Sequence, residues 1–350
     1  MGHKVLTVSV VIPTYNSSKY IQNTIQSVFE QSYANIEIVV VDDGSTDDTV
    51  ELVESTLKSL GKKWQVLTLG RNGGPSAARN VGYRAATGSW IQFLDSDDLL
   101  MPSKIELEAG VAASSAPDVA VVYSPWNWGF VENGRFQWFG PLNPPFISGN
   151  HPIMCLAEGR PLVGSSLIRR SALDEVGGFD EGLRFWECEE LNVRLAGIGR
   201  FVRAESSSAQ YLWRLRPDEL YVGGPGSRYN SKEVALGWIT QALKAAGNRR
   251  LQDLGLSDEE QRLLLNEFTL WGRMLYSQNR PAFSDYLRMA RILDPQVGPA
   301  YPRHIAALSR WVGYETAEGI AKLTRQPKVW VHSALCRLGL RRADMLVKVH

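Results

Sequence analysis

The stretch VSVVIPTYN, Val8–Asn16, joins an uninterrupted apolar run to a polar turn. Its first half consists mainly of β-branched side chains and carries no charge, which is typical of a strand buried on both faces. Strands of this kind belong to parallel sheets whose two faces are covered by helices. Pro13 to Asn16 would then lie at the carboxyl end of the strand, where open α/β sheets bind their ligands.

The same pattern repeats further along the chain. Apolar runs that predict strands occur at 36–41, 66–69, 90–94 and 119–123, and helical spacing separates them. Strands that alternate with helices predict an α/β fold with a mostly parallel sheet and flanking helices. We expect Ser45 to cap the second helix, Pro75 to open the third and Gly88 to close it. Residues 126–161 are rich in Pro, Gly, Asn and Trp and are expected to form long loops.

The chain has 350 residues, which suggests more than one domain. Helical spacing returns at 173–196, and after Gly223–Ser227 no strand pattern follows. Amphipathic helices are predicted at 232–246, 257–277 and 282–293. We therefore predict an α/β domain over 1–225 and a helical domain over 226–350.

Bulk properties exclude some classes of protein. The net charge of +1 gives no basic field for nucleic acid. Cys155, Cys188 and Cys336 show neither metal nor disulfide spacing, as expected of a cytoplasmic protein. No apolar run approaches the length of a membrane span. The basic segment 325–350 has an apolar face that suits peripheral contact with an anionic membrane or docking on its own domain.

Polar clusters follow the predicted strands, and we expect them to converge at one sheet edge. These clusters are Pro13–Asn16, Asp42–Asp47, Arg71–Asn80 and Asp95–Asp98. Carboxylates as close as Asp95 and Asp97 repel one another unless they face a cation, and Mg²⁺ or Mn²⁺ suits such hard oxygen ligands. Asp98 is expected to cap the next helix. Asp43 either accepts hydrogen bonds from a nucleoside or forms an Asp-Gly turn, and Arg79 either faces the ligand or is a surface charge.

Five motifs in this order carry a family resemblance: VSVVIPTYN, VVVDDGSTDDT, GGPSAARNVG, WIQFLDSDDLLMP and GGFDEGL. Together they resemble glycosyltransferase family 2, of the GT-A fold, over roughly residues 7–220. The resemblance implies an inverting, metal-dependent transferase that moves a sugar from a nucleotide-sugar, usually a UDP-sugar, to an acceptor hydroxyl. It implies surface polysaccharide assembly on a glycan or lipid-linked acceptor. The nucleotide-binding residues it implies are Pro13, Thr14, Tyr15, Asp43, Arg79 and Asp95, and the metal ligands are Asp95 and Asp97.

The chain departs from the family pattern at the catalytic base. Family members commonly carry Glu-Asp after GGFDE, with the Asp as base, whereas an ungapped count places Glu187 and Cys188 there. A thiol with an ordinary pKa is mostly protonated at neutral pH. Glu187 and Glu190 are therefore equal candidates for the base, with Glu189 behind them.

A second departure concerns an aromatic-Arg-x-His stretch whose His helps to hold the metal in many relatives. Here Arg216 replaces the His, and it either contacts the diphosphate or is, like Arg214, a surface charge. Trp126, Trp128 and Trp138 are either a stacking platform for an acceptor sugar or buried loop anchors.

Two alternative functions remain at this point. One is a nucleotide-sugar-binding protein that has lost catalysis, as Cys188 and Arg216 suggest. The other is a nucleotidyltransferase, although the glycine-rich loop that such enzymes carry after the first strand is missing here.

Overall fold

A computed structural model describes residues 6–60, 63–132, 135–139, 151–157, 161–183, 186–214 and 231–295. The chain divides into two compact units, residues 1–227 and 228–350. The domain boundary predicted near residue 225 lies outside the described residues and stays a prediction.

Strands and helices alternate through the first part of the N-terminal unit, as predicted. In chain order they are β1 (Val8–Thr14), α1 (Ile21–Phe29), β2 (Ile36–Asp42), α2 (Thr49–Leu60), β3 (Lys63–Thr68), α3 (Pro75–Ala85), β4 (Trp90–Phe93), β5 (Leu99–Leu100), α4 (Lys104–Ser114) and β6 (Val119–Tyr123). The later elements are β7 (Trp126–Glu132), β8 (Arg135–Phe139), β9 (Ser166–Arg169), α5 (Arg170–Val176), α6 (Glu187–Ile198), β10 (Arg200–Arg203) and β11 (Tyr211–Arg214).

The main sheet has the strand order β10-β6-β9-β4-β1-β2-β3. Its paired strands are parallel except for β9, which runs antiparallel to both β4 and β6. Every residue of β1 and β2 is buried, as expected of strands that are covered by helices on both faces. The predicted α/β class is thus confirmed, and the carboxyl ends of β1, β2 and β4 lie at one edge of the sheet.

A second, smaller sheet has the order β5-β11-β7-β8. Strand β11 is parallel to β7 and antiparallel to β5, and β7 and β8 pair antiparallel. The prediction of loops throughout 126–161 is therefore wrong for β7 and β8. Strand β5 directly follows the acidic cluster Asp95–Asp98, so this sheet borders the predicted site.

Two local predictions at helix ends are also wrong, and one predicted helical stretch is divided into two helices. Ser45 is not a helix cap, because α2 begins at Thr49 and the Ser45 hydroxyl accepts a hydrogen bond from the Asn16 amide. Gly88 does not end α3 in a left-handed turn; a Cβ there would lie 2.6 Å from the Ser9 Oγ, so close approach to β1 requires the glycine. The helical pattern at 173–196 is interrupted, since α5 ends at Val176 and α6 begins at Glu187.

A buried ion pair supports the sheet below the site. Lys104 and Glu108 of α4 are fully buried, and the Lys104 Nζ lies 2.6 Å from the Glu108 Oε2. The Lys104 ammonium also donates to the Gln92 side chain on β4, and the Ser124 hydroxyl donates to Glu108 over 2.5 Å. These partners satisfy two charges that would otherwise be costly in the interior.

The C-terminal unit contains α7 (Ser231–Ala246), α8 (Asp258–Gln278) and α9 (Arg280–Leu293). These bounds agree with the predicted helices to within two residues. Ser257 and Glu260 form a capping box at the start of α8. Trp238 and Phe268 meet edge to face, with ring centroids 4.9 Å apart, inside the unit. Within the described ranges, no helix combines the length and apolar character needed to cross a bilayer.

Candidate active site

The four predicted polar clusters meet at the carboxyl edge of the main sheet. The Thr46 amide donates to the Asn16 side chain, and the Ser17 and Ser96 hydroxyls lie 2.6 Å apart. Asp43 links β2 to the glycine-rich loop before α3: its carboxylate accepts the Gly73 and Gly74 amides over 2.7 and 2.8 Å. The predicted convergence is confirmed, and the Asp-Gly turn alone does not describe Asp43.

The predicted nucleotide residues on β1 differ in exposure. Thr14 is buried, whereas Tyr15 follows the strand and leaves 47% of its surface exposed. The Asp43 amide donates to the Thr14 carbonyl over 2.8 Å, so the end of β1 is tied to the end of β2. Pro13 pairs with Val41 in the β1–β2 register. Tyr15 is therefore an exposed aromatic residue that directly follows a backbone segment fixed by hydrogen bonds.

The acidic loop after β4 is held by α1. The Thr24 hydroxyl lies 2.9 Å from both the Ser96 and the Asp98 carbonyl oxygens. The Asp95 side chain is 45% exposed, while Asp97 is buried with 9% of its surface accessible. The loop thus presents Asp95 to solvent and keeps Asp97 at the margin of the interior.

Asp98 does not cap α4, contrary to the prediction. Its carboxylate accepts hydrogen bonds from the Tyr211 hydroxyl and, over 2.8 Å, from the Arg214 amide, both on β11. Burial raises the pKa of Asp98 well above its ordinary range, and the charges of Asp97 and Asp95 add to the effect. Both oxygens of Asp98 therefore serve the fold.

Arg79 connects this loop to the predicted base. Its Nη2 lies 2.6 Å from the Asp95 Oδ1, and its Nη1 lies 3.3 Å from the Glu187 Oε1. Burial alone lowers the pKa of Arg79, but Asp95 and the other acidic neighbours outweigh it and hold the pKa well above its ordinary value. The guanidinium carbon lies 5.2 Å from the centre of the Phe179 ring. Arg79 is only 4% exposed, so the alternative of a surface charge is wrong.

Glu187 begins α6 and faces the site. Its side chain is 17% exposed, and burial raises its pKa against the opposing effect of Arg79. The residue before it, Trp186, is buried and has φ of 65°, a left-handed conformation that a bulky side chain rarely adopts. Trp186 is the residue directly before α6, so the left-handed turn marks the point at which the helix and Glu187 begin.

Glu190, the equal candidate, has a different environment. Its two oxygens accept hydrogen bonds from the Arg194 Nε over 2.8 Å and Nη2 over 2.6 Å. Arg194 also donates to the Val176 and Gly178 carbonyls, over 2.6 and 2.8 Å. Glu190 therefore belongs to an ion pair that holds the turn after α5, and the geometry favours Glu187 over Glu190 as base.

Arg214 is a site residue that the sequence did not identify. It is only 6% exposed, and its guanidinium carbon lies 5.3 Å from the centre of the Tyr20 ring. Its Nε and Nη2 are buried and have no hydrogen-bond partner among the described residues. Burial lowers the pKa of Arg214, and Asp98 and Asp97 oppose that effect. Arg214 is not a surface charge, and Arg216, which the family pattern emphasised, lies outside the described residues.

The sequence match agrees with this geometry. Residues 9–177 match the profile of the family described as Glycosyl transferase family 2. This part of the chain belongs to glycosyltransferase family 2. The matched range includes Asp43, Arg79, Asp95 and Asp97 and stops before α6.

Relatives and solved structures extend this assignment. The minor teichoic acid biosynthesis protein GgaA of Bacillus subtilis is 32% identical over 187 residues, which cover 51% of this chain and 41% of GgaA. The chain spans less than half of the length of such curated relatives. S. aureus TarS 1–349, solved in complex with UDP-GlcNAc, aligns with a TM-score of 0.60 at 20% identity over 91% of this chain and 92% of that chain. The mannosyltransferase PcManGT from Pyrobaculum calidifontis, in complex with GDP-Man and Mn²⁺, gives 0.53 at 18% identity, with coverage of 92% and 88%. At these identities the likeness concerns the fold, and the GT-A prediction is confirmed.

The donor set of this family 2 domain fits a cation shared with a diphosphate. Within the described ranges, no three His, Cys, Asp or Glu side chains are grouped to hold a metal by themselves. Mg²⁺ at phosphate sites requires only one or two carboxylates, with the remaining positions filled by phosphate oxygens and water. Asp97, together with the exposed carboxylate of Asp95, meets that requirement.

The ungapped count in the sequence predicts that Cys188 stands where family 2 members commonly carry the Asp base. Burial raises the pKa of its thiol well above the ordinary value, although Arg79 opposes the shift. The Cys188 Sγ lies 4.0 Å from the Glu187 Oε1. A thiol in this state is protonated at neutral pH and is poorly suited to accept a proton.

Proposed function

We propose that this chain is an inverting glycosyltransferase that moves a sugar from a UDP-sugar to an acceptor hydroxyl. The observation that carries the proposal is the double contact of Arg79, which joins Asp95 at the donor side to Glu187 at the base side. The buried guanidinium of Arg79 thus contacts two carboxylates that have different proposed roles. The family assignment supports the reaction class.

The donor nucleotide is proposed to bind at the edge formed by β1, β2 and α3. Tyr15 offers an exposed ring to the nucleobase. Pro13, Thr14 and Asp43 supply the fixed backbone around it, and the remaining lone pairs of Asp43 can accept from the base. Arg79 holds Asp95 beside this edge. The two buried, unpaired nitrogens of Arg214 suit the negative diphosphate, since an orphaned guanidinium donor is costly until an anion meets it.

Asp97 and Asp95 are proposed to hold Mn²⁺ or Mg²⁺. When bound, such an ion supplies positive charge that stabilises the departing diphosphate. Arg214 would add a second positive group on the same side. Arg79 keeps the Asp95 carboxylate in place through its 2.6 Å contact, so the donor side is ordered before the substrate arrives.

Glu187 is proposed to be the general base. It accepts the proton of the acceptor hydroxyl as that oxygen bonds to the anomeric carbon, while the bond from the anomeric carbon to the diphosphate oxygen breaks. A single displacement of this kind inverts the anomeric configuration. A pKa raised by burial makes Glu187 a stronger base than an exposed glutamate. Its 3.3 Å contact with Arg79 holds the carboxylate in place.

The choice of UDP rests on the TarS complexes with UDP-GlcNAc and UDP, and GDP remains open because PcManGT was solved with GDP-Man. The match to GgaA supports surface polysaccharide assembly with a glycan or lipid-linked acceptor. A cytoplasmic location with peripheral membrane contact through 325–350 is part of the proposal, and that segment lies outside the described residues. The family assignment gives no support to a nucleotidyltransferase.

One observation favours a second candidate. Cys188 stands at the usual position of the base and cannot replace it, which is what a nucleotide-sugar-binding protein without catalysis would show. Such a protein would bind the nucleotide with metal but release no sugar.

The test is calorimetric titration of UDP, GDP and TDP, each with and without Mn²⁺, into the wild type and Asp97→Asn. We expect one nucleotide to bind only with Mn²⁺, and Asp97→Asn to lose that dependence. Asp118→Asn is the matched control, because Asp118 is an exposed aspartate paired with Arg200. Folded wild-type protein that binds none of the three nucleotides would overturn the proposal. Nucleotide binding without any release of UDP from a UDP-sugar would favour the second candidate.

A further inference from the structure

The small sheet presents a row of aromatic residues on one face. In the β11–β7 register, Tyr211 is opposite Trp126 and Trp213 is opposite Trp128. Because successive side chains of a strand alternate between faces, these four residues share one side of the sheet. The Trp213 ring centroid lies 6.1 Å from that of Trp126 and 6.2 Å from that of Trp128. Trp213 thus joins the other two rings into one cluster.

The cluster is buried at one end and open at the other. Tyr211 and Trp126 are 3% and 8% exposed, whereas Trp128 and Trp213 are each 39% exposed. Among the described residues, the large aromatic side chains that stay this exposed are Tyr15, Trp128 and Trp213. Leaving two indole rings partly in water forgoes the free energy that their burial would provide. The arrangement therefore suits a ligand that covers both rings.

The buried end of the cluster touches the site. The Tyr211 hydroxyl donates to Asp98, which directly follows Asp97 in the chain. Trp213 stands two positions after Tyr211 on the same face, so the open rings continue outward from the acidic loop. Arg214, the next residue, belongs to the opposite face, where its guanidinium meets the ring of Tyr20, the residue directly before α1. The side that carries Trp213 is consequently not the side on which Arg214 would meet a diphosphate.

We propose that Trp128 and Trp213 form a stacking platform for a pyranose ring of the acceptor; this rests on the proposed transferase function. A pyranose has a flat face of C–H groups, and such a face covers an indole ring without requiring a charged partner. The sequence also suggested Trp138, whose side chain lies outside the described part of the chain; Trp213 is the described residue whose ring packs beside Trp128.

The test is saturation-transfer NMR on the full chain, with the donor site filled by UDP and Mn²⁺. The probes are the methyl pyranosides of glucose, galactose, mannose and N-acetylglucosamine, with ribitol 5-phosphate as a probe that lacks a pyranose ring. The main variant is Trp128→Leu/Trp213→Leu, which keeps apolar volume but removes the rings. Trp128→Phe/Trp213→Phe keeps an aromatic face and serves if the leucine pair fails to fold. Ile198→Ala is the control, because Ile198 is an exposed apolar residue of the same unit at 42% accessibility.

We expect the wild type and Ile198→Ala to transfer saturation to the C–H protons of at least one pyranoside. The leucine pair should weaken its binding by about tenfold or more, and the phenylalanine pair by less. Equal transfer in the wild type and the leucine pair would overturn the platform, as would the absence of transfer to every pyranoside or a preference for ribitol 5-phosphate. UDP titration of the same samples separates the two proposals. If UDP binds normally and the leucine pair does not change pyranoside binding, the platform alone is refuted. If the wild type does not bind UDP, the proposed function is refuted.

Discussion

Glu187→Gln and Glu190→Gln should have opposite effects, and the contacts of the two carboxylates give the reason. Glutamine at 187 keeps an oxygen that can accept from the Arg79 Nη1, which lies 3.3 Å from the present Oε1, so the site should stay assembled. It removes the proton acceptor, and general-base catalysis contributes roughly 10²–10⁴-fold. We therefore expect kcat to fall by about that factor while the Kd for nucleotide stays within about twofold.

The same substitution should raise stability at neutral pH. Burial raises the pKa of Glu187 above its ordinary value of 4.5, so the unfolded chain ionises this group at lower pH than the folded chain. The destabilisation is absent below the unfolded pKa, develops as the pH rises through the folded pKa and is complete above it. Glu187→Gln should thus melt at a higher temperature than the wild type at pH 8, and this gain should vanish near pH 3. For the same reason, the acid limb of the wild-type kcat profile should lie above the pKa of an ordinary glutamate.

Glu190→Gln should lower stability and leave most of the turnover. Arg194 keeps its bonds to the Val176 and Gly178 carbonyls, so the loss is limited to charge and one acceptor. For a pair whose side chains are 29% and 13% exposed, we expect a loss of about 1 kcal/mol. That corresponds to a fall in Tm of about 2–4 °C for a unit of this size.

The assay measures the release of UDP from UDP-N-acetylglucosamine, with water or a cell-wall glycan fraction as the acceptor of the sugar. Thermal melts at pH 3 and pH 8 accompany it. If Glu187→Gln retains most of the wild-type kcat, Glu187 is not the base. If Glu190→Gln loses as much kcat as Glu187→Gln, the structural discrimination between the two residues fails.

Two further substitutions test the environment of Asp98. Arg214→Gln should weaken UDP binding by roughly tenfold or more and leave uridine binding unchanged, because a hydrogen bond to a charged group contributes about 1.5–3 kcal/mol. Calorimetric titration of both ligands measures the effect, with Arg200→Gln as the exposed control. Equal losses of affinity for UDP and uridine would contradict a phosphate contact. Gly164→Ala should cost about 1–3 kcal/mol, since the added Cβ would lie 2.3 Å from the Tyr211 ring. Thermal melts should show this loss as a lower Tm. Gly110→Ala is the control, because nothing lies within 4 Å of its new Cβ and its Tm should not fall. Equal Tm values for the two alanine variants would refute the close-packing argument.

The elements that the sequence predicted well are those whose pattern is locally sufficient. The apolar runs of β1, β2, β4 and β6 lie within two residues of the predicted strands. An uninterrupted run of β-branched residues has few alternatives to a strand covered on both faces. The order of strands and helices then fixes which polar turns meet, and for that reason the convergence of Asp43, Arg79 and Asp95 was predictable.

Strand β7 had a local signal that its composition concealed. Trp126, Trp128 and Phe130 alternate with smaller or polar residues, which is the period of a strand. The abundance of Asn, Gly and Trp favoured a loop in the prediction. Alternation would have been the better guide, because it describes which side chains share a face.

The roles of Arg214 and Ser45 could not be read from neighbouring residues. Arg214 is buried because its amide meets Asp98, which is 116 residues earlier in the chain. The Ser45 hydroxyl accepts a hydrogen bond from the Asn16 amide and does not cap α2, so a tertiary contact displaces a local preference. Likewise, Glu187 and Glu190 are alike in sequence and are distinguished only by the arginines they contact.

The bonds from β11 to Asp98 also determine how this unit can be divided. The part that matches the family ends at residue 177, yet Asp98 has partners on Tyr211 and Arg214. A fragment that stopped at the end of the match would leave a buried carboxylate without those donors and would uncover the edge of β6 that β10 now pairs. The range that matches the family, residues 9–177, is thus shorter than the range that this unit needs in order to fold. Helix α6, which carries the proposed base Glu187, lies beyond the matched range, so a change at position 188 leaves the five family motifs intact.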